Sequence, residues 1–218
     1  MLTASAASGS RTSPRSSAPG AKAEFFVYLA RAFQPMGTPE ARASFAHELP
    51  GDLADLAAEA GYELGPLVER FAEHALDAEA QLLEDYSALF LVPPVPVPLN
   101  AGLYLDGGLM GRGAQAMLQR YGEAGLAPDE RFRDLPDHVS MQLDYVGVLF
   151  ARAADGDRES EARAREYLAQ FVLAWLPGFT QALHAAAQRV PAARAYGALA
   201  AILEAAARHE AFLPSGCA

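Results

Sequence analysis

The stretch DAEAQLLEDYSALFLVPPVPVPLNAGLY, residues 77–104, joins two opposed backbone habits. In its first half, Leu82, Tyr86, Leu89 and Phe90 are spaced four, three and one apart, which predicts one apolar stripe on a helix over about 77–91. Its second half carries Pro93, Pro94, Pro96 and Pro98. Proline fixes φ and has no amide donor, so the run can neither extend the helix nor lie inside a sheet. It is an extended connector or a docking surface.

The helical half sets the pattern for the chain. Helical periodicity dominates from Ala23 onward, alternating strand-like runs are nearly absent, and isoleucine occurs only at Ile202. The expectation is an all-α, single-domain bundle of about ten helices. A first helix covers 23–34 and stops at Pro35, and Thr38 caps a second segment with Pro39 at its first position. Helices follow at 51–60, 65–75, the segment closed by Gly125, about 137–153, and two or three over 159–211, with Pro177 and Pro191 marking a kink or junctions. Residues 1–22 have arginine, lysine, serine and proline but no acid, and are expected to be a disordered tail, with the folded domain at 23–218.

Composition narrows the function. The 218 residues are 51% hydrophobic and carry a formal net charge of −10, more negative still once Arg11, Arg15 and Lys22 of the tail are set aside. A nucleic-acid partner is disfavoured, while a cationic peptide would be attracted by a surface that also serves solubility. The single cysteine, Cys217, rules out a disulfide framework or a cysteine-built metal site within one chain. No apolar run is long enough to span a bilayer and no secretory signal is visible, so a cytoplasmic protein without stable membrane insertion is expected.

Catalytic chemistry finds little support. His47, His74, His138, His184 and His209 form no helical metal pair, and neither a Walker loop nor a G-x-S-x-G elbow occurs. No catalytic residue, cofactor or metal is assigned. The glycine-rich 106–113 turn, with Asp106 and Arg112, leaves a nucleotide-binding protein or helical enzyme as an alternative. A structural subunit packed on one constant partner is another.

One polar cluster stands apart, DLPDHVSMQLDYVGVLF at 134–150. On one reading Asp134 or Asp137 caps the helix while Val139, Leu143, Val146 and Phe150 face the core. On the other, His138, Gln142, Tyr145 and Leu149 make a mixed face able to grip a peptide.

Two blocks of this sequence resemble the TorD/DmsD family of chaperones for molybdenum-containing redox enzymes. The first block has Tyr86, Leu89, Phe90, Pro93, Pro94, Pro98 and Tyr104; the second has Pro136, Asp137, His138, Leu143, Asp144, Tyr145 and Leu149. Trp175, Pro177 and Phe179 are a weaker third echo. The resemblance implies no enzyme but a TorD-like, all-helical cytoplasmic chaperone. Such a chaperone binds the twin-arginine signal peptide, or the apo form, of a molybdoenzyme catalytic-subunit precursor and assists cofactor insertion before export. It would be a monomer or a helix-exchanged dimer. The expected peptide-binding residues are Tyr86, Phe90, Pro93, Pro94, Pro98, Tyr104, Pro136, Asp137, His138, Gln142 and Tyr145, with the proline loop beside the Asp137–His138 helix start. Two departures remove polar handles: Ala101 and Gly102 stand where the family usually has an acid and a serine, and Gln142 where an acid is common.

Overall fold

A computed structural model describes residues 2–4, 18–129 and 132–213. Helix α1, Ala18–Ala32, starts ahead of the expected boundary at Ala23. Ala21 and Lys22 are both buried, and the Lys22 ammonium lies 2.7 Å from the Glu210 carboxylate, so packing and charge carry the helix back toward the N-terminus. The expected tail is therefore too long by at least the residues from Ala18. Most of the rest of that segment, and Cys217, lie outside the described residues.

The other helices follow the sequence signals closely. Thr38 caps α2, Pro39–Ala43, by accepting from the Ala41 amide. A π turn at Ser44–Glu48 leads into α3, Leu49–Ala60, which Gly61 closes at φ 80°. Then come α4, Gly65–Ala78, and α5, Leu82–Phe90. A one-turn helix α6, Gly102–Leu105, was not foreseen and raises the α-helical segments to eleven among the described residues. α7 spans Arg112–Glu123, α8 Val139–Ala154 and α9 Arg158–Tyr167. A second π turn, Leu168–Val172, joins α9 to α10, Leu173–Ala186. Pro177 stands inside α10 without ending it, and α11, Ala192–Phe212, follows Pro191.

The bundle is built on three helix pairings, α1 on α8 and α11 against both α4 and α10. At the first, Phe26 stacks on Phe150 with centroids 5.6 Å apart. Gly147 lets the backbones approach, since a Cβ there would meet Val27 Cγ2 at 2.8 Å. The wholly buried Tyr196 of α11 sits among Phe33 after α1, Phe45 of the π turn, and Tyr86 and Phe90 of α5. Among the described residues, strand is confined to β1, Leu2–Ala4, paired antiparallel with β2, Leu126–Pro128. Among the described residues no helix is long and apolar enough to cross a membrane.

Candidate functional site

Helix α5 ends where proline denies it further amides. The Leu91 and Val92 amides both turn back to the Ser87 carbonyl, and Val97 donates to the Leu89 carbonyl at 3.2 Å. The proline run therefore folds over the end of its own helix, burying Val97 and Leu99 while Pro93 and Pro94 stay exposed. It is a packed loop with one wet side.

The 134–138 segment then clasps this loop. Val139 donates to the Leu99 carbonyl at 2.9 Å and Ala101 to the Asp137 carbonyl at 3.1 Å, an antiparallel bridge centred on Asn100 and His138. The wholly buried Asp137 carboxylate accepts from the Gly102 amide at 2.8 Å and Asn100 Nδ2 at 3.2 Å. Its charge is thus held by fixed donors. Gly102 is required there, because a Cβ would lie 2.9 Å from both Asp137 Oδ2 and the Gly108 carbonyl.

Capping of α8 falls to His138 and not to either aspartate. Its Nδ1 accepts from the Ser140 amide at 3.1 Å, so the neutral ring carries its hydrogen on Nε2. That nitrogen is 4.0 Å from Asp134 Oδ2, too far for a direct bond. Burial pushes the imidazole below its ordinary pKa, against the opposing pull of Asp134 and Asp137.

The mixed face expected on α8 is absent, since Gln142, Tyr145 and Leu149 are all buried along with His138. Gln142 Nε2 donates to the Asp137 carbonyl at 2.8 Å, and its Oε1 accepts from Trp175 Nε1 at 3.0 Å. An amide suits that place because it must donate and accept at once. Tyr145 donates to the Arg120 carbonyl and packs on Tyr121 and Tyr167, away from the proline loop. Tyr104 donates to the Pro98 carbonyl at 2.8 Å and rests on Trp175 and Phe179, with Gly178 tight against its ring. The Pro136 carbonyl accepts from Tyr121.

These contacts frame a cleft of about 760 Å³. Its lining includes Gln34 and Pro35 after α1, Tyr86 and Phe90 of α5 with Leu91 just beyond it, and Val95, Pro98, Leu99 and Asn100 of the proline loop. Leu103, Leu109, Asp129, Phe132, Arg133, Asp134 and His138 complete the lining. Of the residues expected from sequence, Tyr86, Phe90, Pro98 and His138 line it. Asp137, Gln142, Tyr104 and Pro136 hold its frame, Tyr145 lies in a separate polar pocket, and Pro93 and Pro94 sit on the loop's exposed side. Leu91, Val92, Leu109 and Met110 are large exposed apolar residues, the first pair at the end of α5 and the second on the glycine-rich turn. Leucines in so short a helix and so glycine-rich a turn were the signal for the missed wall.

The same turn is poorly suited to phosphate. The Asp106 carboxylate already accepts from the Gly113 amide at 2.8 Å in the first turn of α7, placing a negative charge where a phosphate would sit.

The nitrate reductase delta subunit family matches residues 53–181, which hold both the proline loop and the clasp. The chaperone protein TorD of Vibrio cholerae is 29% identical over 112 residues, 48% of this chain and 51% of that protein. TorD of Photobacterium profundum is 32% identical over 120 residues, 50% of this chain and 54% of its own. The chain thus spans about half the length of the curated relatives it matches. A solved structure from Archaeoglobus fulgidus, provisionally assigned as a redox enzyme maturation protein, aligns over 84% of this chain and 91% of its own at 15% identity, with a TM-score of 0.48. With more than half of its residues inside the family match, the chain belongs to the nitrate reductase delta subunit family, the group of the TorD chaperones.

Proposed function

We propose that this protein is a maturation chaperone that holds the twin-arginine signal peptide of a molybdenum-containing oxidoreductase precursor in the cleft lined by the proline loop, Asp129 and residues of the 132–138 segment, in the cytoplasm, until cofactor insertion is complete. The observation that carries this reading is the clasp itself. The two sequence blocks shared with the chaperone family meet, through Asp137, Gly102 and the Asn100–His138 bridge, around one apolar cleft. Much of the lining offers an occupant's backbone no free amide. Pro35 and the four loop prolines offer no amide, and the Leu91, Val97, Leu103, Phe132 and His138 amides are already engaged. A helical peptide with its apolar face inward suits such a lining, whereas an added strand does not.

The test is titration of the twin-arginine leaders of the host's oxidoreductase precursors into the full-length protein, followed calorimetrically. Saturable binding of at least one leader is expected, weakened about tenfold by Leu109→Asp, a change at an exposed wall residue that leaves the core intact. Equal binding of unrelated basic peptides of the same length would overturn it.

A further inference from the structure

Among the described residues, the formally charged groups of the cleft lining are Asp129, Arg133 and Asp134. The acids are engaged within the protein. Asp134 Oδ1 accepts from Asn100 Nδ2 at 3.1 Å and from the Leu135 amide at 2.7 Å, and Asp129 also has interactions of its own. Arg133 is different. It is exposed on the wall and, among the described residues, its guanidinium has neither a hydrogen-bond nor an ion-pair partner. A chain of net charge −10 thus has, at the lining of a largely apolar cleft, a cation with no partner among the described residues.

An arginine on this wall offers a planar fork of donors that fits a carboxylate. It shares the cleft lining with Leu91, Leu103 and Leu109, so an occupant that packs its apolar stripe on these leucines brings its polar edge within reach of Arg133. We infer that the cleft selects a client segment bearing a carboxylate beside its apolar stripe, and that Arg133 pairs with that carboxylate. The inference rests on the proposed use of the cleft for the client leader. It adds a requirement that positive charge on the leader does not supply: a leader carrying cations alone meets repulsion at Arg133.

The experiment takes the tightest-binding leader found by titration and replaces each of its acidic residues, one at a time, by the corresponding amide. One replacement should weaken binding to the wild-type protein about fivefold, the range of a partly exposed pair, and should have no effect on binding to Arg133→Gln. Arg133→Lys should restore part of the discrimination. A tightest leader without any acid, amide replacements that are all neutral, or the same loss in wild type and Arg133→Gln would each overturn the inference while leaving the chaperone reading intact. If no leader binds at all, the reading of the cleft falls, and the role of Arg133 with it. Because Arg133 is exposed, unchanged melting of the variants separates a binding effect from a folding one.

Discussion

Asp137 Oδ2 lies 2.8 Å from the Gly102 amide in a space that admits no side chain at position 102. The carboxylate and the glycine are two halves of one latch, which joins the end of the proline loop to the start of α8. Gly102→Ala should cost about 2 kcal/mol through overpacking against Asp137 and the Gly108 carbonyl. Asp137→Ala should cost about 2–3 kcal/mol, because it strands the buried Gly102 amide and removes one of the two acceptors of Asn100 Nδ2, which keeps Asp134. Urea denaturation gives both values. Near-additive losses in the double variant would show that the two residues do not act as one latch.

Gln142 makes the second prediction. Glutamate at this place would accept from Trp175 Nε1 but could not donate to the Asp137 carbonyl, and it would add a charge to a fully buried site. Gln142→Glu should therefore destabilise the protein by about 2 kcal/mol or more at neutral pH. Gln142→Met, which removes both polar demands at similar volume but leaves Trp175 Nε1 unpaired, should fall between the two. A neutral Gln142→Glu in denaturant melts would mean that the local network rearranges to take an acid.

Much of the helix inventory was legible in the sequence because helix ends are local events: Thr38, Gly61, Gly125 and Pro191 each act on their own few neighbours. The site was legible only in part. Periodicity places His138, Gln142 and Tyr145 on one face of α8, but it cannot say that α10 and α7 cover that face, since burial is set by partners distant in sequence. Asp137 reads as a helix cap because of its position before Val139, whereas its carboxylate is drawn to a loop 35 residues away. The cleft wall at Leu103 and Leu109 escaped because nothing periodic marks a one-turn helix and a glycine-rich bend.

His138 gives the stability of the protein a dependence on pH with a definite sign. Burial lowers its pKa in the folded protein below the ordinary value near 6.5, so the unfolded chain takes up the proton first. Its contribution is fully present above about pH 6.5 and is lost as pH falls through the folded-state value. Protonation at Nδ1 would also set an N–H against the Ser140 amide it now caps. His138→Asn keeps a capping acceptor but cannot titrate. Unfolding free energies at pH 7.5 and 5.0 should differ less for His138→Asn than for wild type, and equal differences would remove His138 as the source.

The ion cluster beneath the start of α1 sets the last expectation. Glu210, wholly buried on α11, accepts from Tyr62 at 2.9 Å and Arg165 Nε at 3.1 Å and pairs with Lys22 at 2.7 Å. Lys22 also stands 5.5 Å from the centre of the Phe150 ring. Removing one member of a buried pair leaves the other charge uncompensated, at a cost of about 3–5 kcal/mol. Glu210→Ala should lose stability in that range and strand Lys22. Lys22→Met should lose much less, because Glu210 retains Arg165 and Tyr62 while an apolar side chain of similar length replaces the buried lysine stem. Truncation to residue 23 removes the charge together with the first turns of α1, including the buried Ala21, and should destabilise the protein more than Lys22→Met does. Equal stabilities for the truncated chain and the full one, measured by thermal melting, would restore the domain boundary at Ala23 and relegate the pair to a surface ornament of the helix.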